Sequence, residues 1–232
     1  LIVQGTASNP VTFTSVHASP QAGDWQGISV FSGVLDIEHA IIEYAEIGLT
    51  GAQDTTGSVL NTVFRYNTLG VKAHHYNTGT YTPPPPTFLV NQSSFYSNAM
   101  NYETDGVSSA YTMDATENWW GTAVASEIEA SFDGTNIGYL PYLTSEDGTP
   151  IAGIPLKSGI TMPTTLIAGE TYLVSGIIGV YGTLTIPAGT ILKFAKGARL
   201  NVGAGESLIV QGTASNPVTF TSVHASPQAG DW

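Results

Sequence analysis

The chain has 232 residues, with 6 Lys or Arg against 18 Asp or Glu and a net charge of −12. So small a basic supply excludes a phosphate-binding surface, and with it nucleic acid and anionic membranes as partners. The absence of cysteine excludes disulfides and thiolate metal centres, and no apolar run approaches the ~20 residues of a membrane span, so membrane insertion is not expected.

Residues 1–25, LIVQGTASNPVTFTSVHASPQAGDW, return letter for letter as residues 208–232, a period of 207 residues. Repeats held only by a common core keep their apolar columns and let solvent-facing letters drift. Here Gln4, His17 and Gln21 are repeated too. The identity therefore points to a chain built by tandem repetition, with its two matching segments as equivalent rungs of one continuing column.

Three segments then align without gaps: HAIIEYAEIGL (39–49), NTVFRYNTLGV (61–71) and QSSFYSNAMNY (92–102). A solenoid returns equivalent residues to the same side after each turn. The alignment therefore predicts three inward columns: Ile37, Val59 and Val90; Ile42, Phe64 and Phe95; Ile47, Leu69 and Met100. It also makes Glu43 and Arg65 lateral neighbours. The spacing of 22 and then 31 residues leaves an insertion, HHYNTGTYTPPPP, which should bulge outward because polyproline cannot lie inside a sheet.

Tyr76 and Tyr81 flank that proline run and are the expected contact surface. Trp119 and Trp120 are candidates for stacking on sugar rings, against a role as a plug over the apolar end of the coils. Strand neighbours face opposite ways, so one of the two tryptophans is expected to be buried. His74 and His75 beside Lys72 form the most reactive-looking cluster, and Asn91-Gln92-Ser93 is a glycosylation sequon. The acidic turns Asp133-Gly-Thr-Asn136 and Glu146-Asp147-Gly148 supply hard oxygen donors, so Asp133, Asn136, Glu146 and Asp147 are the calcium candidates. Such Asp-Gly pairs are also turn formers in their own right.

Residues 141–163 carry four prolines and break the rhythm, which marks them as a junction between coils at 1–140 and the first coils of a next module at 164–232. In 182–210 apolar pairs recur every eight residues: Leu184/Ile186, Leu192/Phe194, Leu200/Val202 and Leu208/Val210. Pairs two apart separated by Gly and Pro turns read as the three sides of a coil.

GTLTIPAGTILKFAKGARLNV, GTASNPVTFTS followed by GDWQGI, the stacked coils and ENWWGT at 117–122 together resemble right-handed parallel β-helix proteins of microbial cell surfaces, the pectate-lyase-like superfamily in its wide sense. The resemblance implies an all-β, three-sided right-handed parallel β-helix in an extracellular or cell-surface setting. That superfamily spans polysaccharide lyases, hydrolases, adhesins and inert stalks, so fold does not choose the activity. A lyase needs a basic residue poised as a proton acceptor, and nothing in the spacing of Arg65, Arg199, Lys72, Lys157, Lys193 and Lys196 predicts one. Asp36 and Glu38 alternate with Leu35 and Ile37, as on a solvated strand face rather than across a sugar. The expectation is a non-catalytic structural repeat of a fibre or stalk that needs no cofactor and has identical modules as its partner. An adhesin or glycan-binding module is the alternative, and a polysaccharide-active enzyme the third reading.

Overall fold

Short strands joined at tight corners and turns build this molecule. The computed structural model describes every residue except 77–82, 109, 135 and 157–158. It divides into two compact units, Leu1–Pro150 and Ile151–Trp232, the boundary falling inside the 141–163 stretch.

In the first unit three sheets are filled in rotation. The first coil is β1 (Ile2–Gln4), β2 (Val11–Phe13) and β3 (Trp25–Val30), and the second is β4 (Gly33–Glu38), β5 (Ala40–Glu43) and β6 (Ala45–Gly51). The third is β7 (Thr55–Leu60), β8 (Val63–Arg65) and β9 (Leu69–His74), and the fourth β10 (Leu89–Asn91), β11 (Ser94–Tyr96) and β12 (Met100–Asp105). A shorter fifth coil runs through β13 (Met113–Asp114), a bridge from Trp119 to Ser94, helix α1 (Ala125–Ala130) and β14 (Phe132–Asp133), after which β15 (Ile137–Gly138) pairs with β13. The sheet orders β1-β4-β7-β10, β2-β5-β8-β11 and β3-β6-β9-β12-β14 follow, and all these pairings are parallel.

The corners explain how coils this tight close. His39, Asn61, Gln92 and Glu117 all take left-handed backbone angles, φ of 49–58°, at one corner of successive coils. Tyr44, Tyr66 and Ser97 do the same at the next corner, with φ of 56–63°. One such residue between two extended stretches redirects the chain at once, at a cost of order 1–3 kcal/mol for a side chain that disfavours it. At the second corner the stacking of Tyr44 on Tyr66, 5.4 Å between ring centres, offsets part of that cost.

From the third coil onward the residue after the corner is polar, half-buried at Asn98 and buried at Thr62, Asn67, Ser93 and Asn118, and caps the coil below. Thr62 Oγ1 accepts from the Ala40 N–H at 3.4 Å, Ser93 Oγ from Thr62 N–H at 3.1 Å, and Asn118 Oδ1 from Ser93 N–H at 2.9 Å. A second ladder places Asn67 Oδ1 on Ala45 N–H at 2.8 Å and Asn98 Oδ1 on Asn67 N–H at 2.9 Å. Corner amides cannot join the sheets, and these ladders satisfy them without water.

Ile37, Val59 and Val90 stand in register and fully buried, as do Ile42, Phe64 and Phe95. The third column needs correction. Ile47, Leu69 and Met100 are in register, yet Ile47 and Met100 are only half-buried. Ala45 and Asn67 already fill the interior at that corner, and the fully buried column of this sheet runs two residues further on, through Leu49, Val71 and Tyr102.

The second unit repeats the scheme. Its strands are β16 (Ile154–Pro155), β17 (Thr164–Thr165), β18 (Thr171–Val174), β19 (Ile177–Val180), β20 (Thr183–Pro187), β21 (Ile191–Phe194), β22 (Arg199–Val202), β23 (Ser207–Gln211) and β24 (Thr219–Ser222). They form parallel sheets β16-β18-β21-β24, β17-β20-β23 and β19-β22. Leu184 lies against Leu208, three eight-residue steps later, so each step is one side of the coil. Residues 154–155, inside the stretch read as a junction, already belong to this unit's first strand.

Candidate functional site

The feature with the most consequence is the duplicated 25-residue rung, because the structure contains it twice in different company. Its internal geometry is the same in both copies. Thr6 and Asn9 exchange backbone hydrogen bonds at 3.1 and 3.0 Å, and Thr213 and Asn216 do so at 3.1 and 3.2 Å. His17 Nδ1 meets the Asp24 carboxylate at 3.2 Å, as His224 Nδ1 meets Asp231. The Gln21 N–H donates to Asp24 at 3.0 Å, and the Gln228 N–H to Asp231 at 2.7 Å. In the first copy the Ser15 hydroxyl and the Gln21 N–H hold the Asp24 carboxyl below its ordinary range.

The pairing is opposite. Residues 2–4 lie on Asp36–Glu38 of the following coil, whereas Ser207–Gln211 lie on Thr183–Pro187 of the preceding one. Burial follows the partner: Val3 is 6% exposed and its twin Val210 47%, while Val16 is 98% exposed and its twin Val223 9%. One segment thus has two pairing edges, and each copy uses a different one.

A second cluster lies on the β9 and β12 strands. Lys72 Nζ reaches Glu103 at 2.8 Å and Asp105 at 2.9 Å, and His74 Nδ1 reaches Asp105 at 2.8 Å. Burial works against the Lys72 ammonium, but its bonds to Glu103 and Asp105 hold its pKa above the ordinary lysine range, so it stays protonated at neutral pH. The same bond from Lys72, opposed by partial desolvation, keeps Asp105 below the usual carboxylate range. A carboxyl with a depressed folded pKa contributes stability above its unfolded value, ~3.9, and loses it as pH falls through the folded value. Asp105→Asn should therefore lower stability at pH 6, and the difference should shrink as pH falls through the depressed folded value. Because the Asp105 side chain is 45% exposed, the gap should stay below about 1 kcal/mol. Urea unfolding of both proteins across that range checks this, and a gap that does not change with pH would contradict it.

Beside this cluster lies a cleft of about 520 Å³ lined by His75, Pro83, Pro84, Pro85, Gly106, Ser108 and Tyr111. The described part of the proline segment does not project. Asp54 N–H donates to the Pro84 carbonyl at 2.8 Å and the His75 ring contacts the Pro83 carbonyl at 2.9 Å, which lays the prolines along the coil. Tyr76 is 47% exposed and packs edge-on against His74. Tyr81 lies outside the described residues.

Trp120 is not a contact residue. It is 3% exposed and stacks on Phe95 at 4.5 Å, continuing the Phe64–Phe95 pile, and it meets Phe132 edge-on at 4.8 Å. Trp119, its strand neighbour, is half-buried. The calcium candidates are not brought together either. Asn136 is buried, its Oδ1 taken by the Thr104 hydroxyl at 2.6 Å and its amide donating to the Tyr111 carbonyl at 3.0 Å, whereas Asp133 is exposed. Glu146 and Asp147 sit exposed in a turn closed from Gly148 to Ser145. Among the described residues no three His, Asp or Glu side chains are grouped to hold a metal ion. The Asn91 amide of the sequon donates to Asp114 and to Thr116, each at 2.9 Å, so it is committed within the coil.

Parallel strands advancing coil by coil make this a parallel β-helix protein. Residues 158–232 match the family model described as a pectate-lyase like beta helix domain. Comparison with curated proteins and with solved structures finds no match.

Proposed function

We propose that the chain is a non-catalytic structural repeat of an extracellular fibre or stalk, in which one β-helix runs directly into the next. The observation that carries this is the twice-seen rung with opposite edges paired. Superposing the two copies merges the sheets into β17-β20-β23/β1-β4-β7-β10 and β16-β18-β21-β24/β2-β5-β8-β11. The inward columns merge as well: Ile186, Val210/Val3, Ile37, Val59, Val90, and beside it Leu192, Phe220/Phe13, Ile42, Phe64, Phe95. Strand-forming apolar residues therefore meet strand-forming apolar residues across the join, and each otherwise open edge is covered. Each rung that continues the column across the join adds ~4.8 Å, the spacing of parallel strands.

The non-catalytic part of the proposal draws on the tying of Arg65 to Glu43 at 2.7 Å and of Lys72 to two carboxylates, which removes both from service as bases. The extracellular placement draws on the β-helix family match. Among the described residues no helix is long and apolar enough to cross a membrane.

A chain of two periods, residues 1–232 followed by a further 26–232, tests the proposal. Electron microscopy should show the repeated rung joining the second unit of one period to the first unit of the next as a single continuous body. Separate particles on a flexible tether would refute it. Glycan binding is a second reading, favoured by the cleft that Tyr111, 46% exposed, lines together with three prolines. Retention on a glycan array that falls with Tyr111→Ala would support that reading.

A further inference from the structure

The second corner of successive coils carries Tyr44, Tyr66 and Ser97, all with left-handed backbone angles of 56–63°. Bulky side chains are disfavoured in that conformation, so two tyrosines there ask for a reason beyond turning the chain. Their rings lie face to face, 5.4 Å between centres and 10° from parallel. Tyr66 is 40% exposed and Tyr44 half-buried. We infer that this pair is a site of oxidative cross-linking, at which a haem peroxidase supplied with hydrogen peroxide joins Tyr44 to Tyr66 as a dityrosine and staples the second coil to the third.

The geometry favours coupling over docking. A sugar stacks on a free aromatic face, whereas here each ring covers a face of the other, and the ring of Tyr96 meets Tyr66 edge-on at 6.4 Å. The Arg65 guanidinium lies 5.7 Å from the centre of the Tyr66 ring and is itself tied to Glu43 at 2.7 Å, so a third group fixes that ring. Two phenols held in contact by rigid coils react as one unit instead of having to meet by diffusion. The Tyr χ2 torsion is broad, which lets the rings turn from face-to-face toward edge-to-edge on their own side-chain bonds.

The chemistry balances as follows. Each phenol gives up one electron and one proton, and the two phenoxyl radicals form a carbon–carbon bond between Cε atoms beside their hydroxyls. The hydrogen on each bonding carbon then moves to that ring's oxygen, restoring two phenols. Two electrons and two protons have left the protein, and hydrogen peroxide takes them up to become two molecules of water. A chain without cysteine has no disulfide with which to fix one coil to the next. A bond from residue 44 to residue 66 does the same work, because it closes a loop that the unfolded chain would otherwise leave open. This inference goes beyond the fibre reading and does not rest on it, since it needs only two neighbouring coils.

The full chain, dilute enough to suppress coupling between molecules, is treated with hydrogen peroxide and a haem peroxidase, then digested and analysed by mass spectrometry. The main product should be the peptides of Tyr44 and Tyr66 joined with the loss of two hydrogen atoms, accompanied by dityrosine fluorescence. Tyr44→Phe and Tyr66→Phe, which keep the stacked rings, should each abolish that link. Tyr96→Phe should retain it, because the Tyr96 hydroxyl bonds to Arg65 at 3.3 Å and its ring stands outside the face-to-face pair. Treated wild-type protein should unfold at a higher urea concentration than untreated protein, and treated Tyr44→Phe should show no such shift. The same treatment in urea should give no preference for this pair. If the folded chain instead couples through Tyr76, Tyr111 or Tyr181, which are 47%, 46% and 56% exposed, or if the preference for Tyr44 and Tyr66 survives unfolding, the stacked corner is not a cross-linking site.

Discussion

Replacing Phe64 with alanine should cost the first unit about 3–5 kcal/mol. The ring is fully buried, lies directly over Ile42 in the coil below and stacks on Phe95 at 4.9 Å, which in turn stacks on Trp120 at 4.5 Å. A cavity left there cannot collapse easily, because the coils are held at a set spacing by parallel ladders above and below. Denaturant unfolding followed by tryptophan fluorescence measures the loss. Phe64→Leu, which keeps most of the volume, should cost clearly less. A loss under about 1 kcal/mol for the alanine variant would mean the pile is not the core of this unit.

The second large effect is expected from a polar residue. Asn118 is fully buried, accepts from the Ser93 N–H at 2.9 Å and donates to the Val90 carbonyl at 2.7 Å and the Ala115 carbonyl at 2.8 Å. Asn118→Ala removes all three partners at once. Each buried backbone group left unpaired costs about 1–3 kcal/mol, so a total of about 3–5 kcal/mol is expected after some relaxation. Hydrogen exchange locates the damage: the Ser93 amide should lose protection in Asn118→Ala while Phe64, two coils away, keeps its own. Asn118→Asp, which still accepts from Ser93 but loses both donors, should restore that amide's protection without restoring stability. Unchanged protection at Ser93 in the alanine variant would show that the ladder does not bear on this corner.

These two residues also show what was legible beforehand. Phe64 is visible in the alignment of 39–49 with 61–71 and 92–102, because stacking returns equivalent residues to the same place and an apolar column survives as a pattern of letters. The polar ladders were in the same alignment, at Ala40, Thr62 and Ser93 and at Ala45, Asn67 and Asn98. The letters alone do not mark them as inward, because small polar residues beside a turn normally face solvent. Only the left-handed corner angles of His39, Asn61 and Gln92 reveal that the residue after each turn points inward to cap an amide. Ile47 and Met100 are half-buried for a related reason: the alignment gives register, but it does not say whether Ala45 and Asn67 already fill that corner.

Letter periodicity settled the solenoid, two of its inward columns and the likeness of residues 1–25 to 208–232, since those depend on side-chain spacing and on identity along the chain. Tertiary structure decided that Trp120 rather than Trp119 is buried, that Asn136 serves its loop and not an ion, and that each copy of the rung pairs through a different edge. Those outcomes depend on what lies one coil above or below. In a β-helix that neighbour is twenty to thirty residues away, at a distance that varies with every insertion, so the information exists only once the coils are stacked.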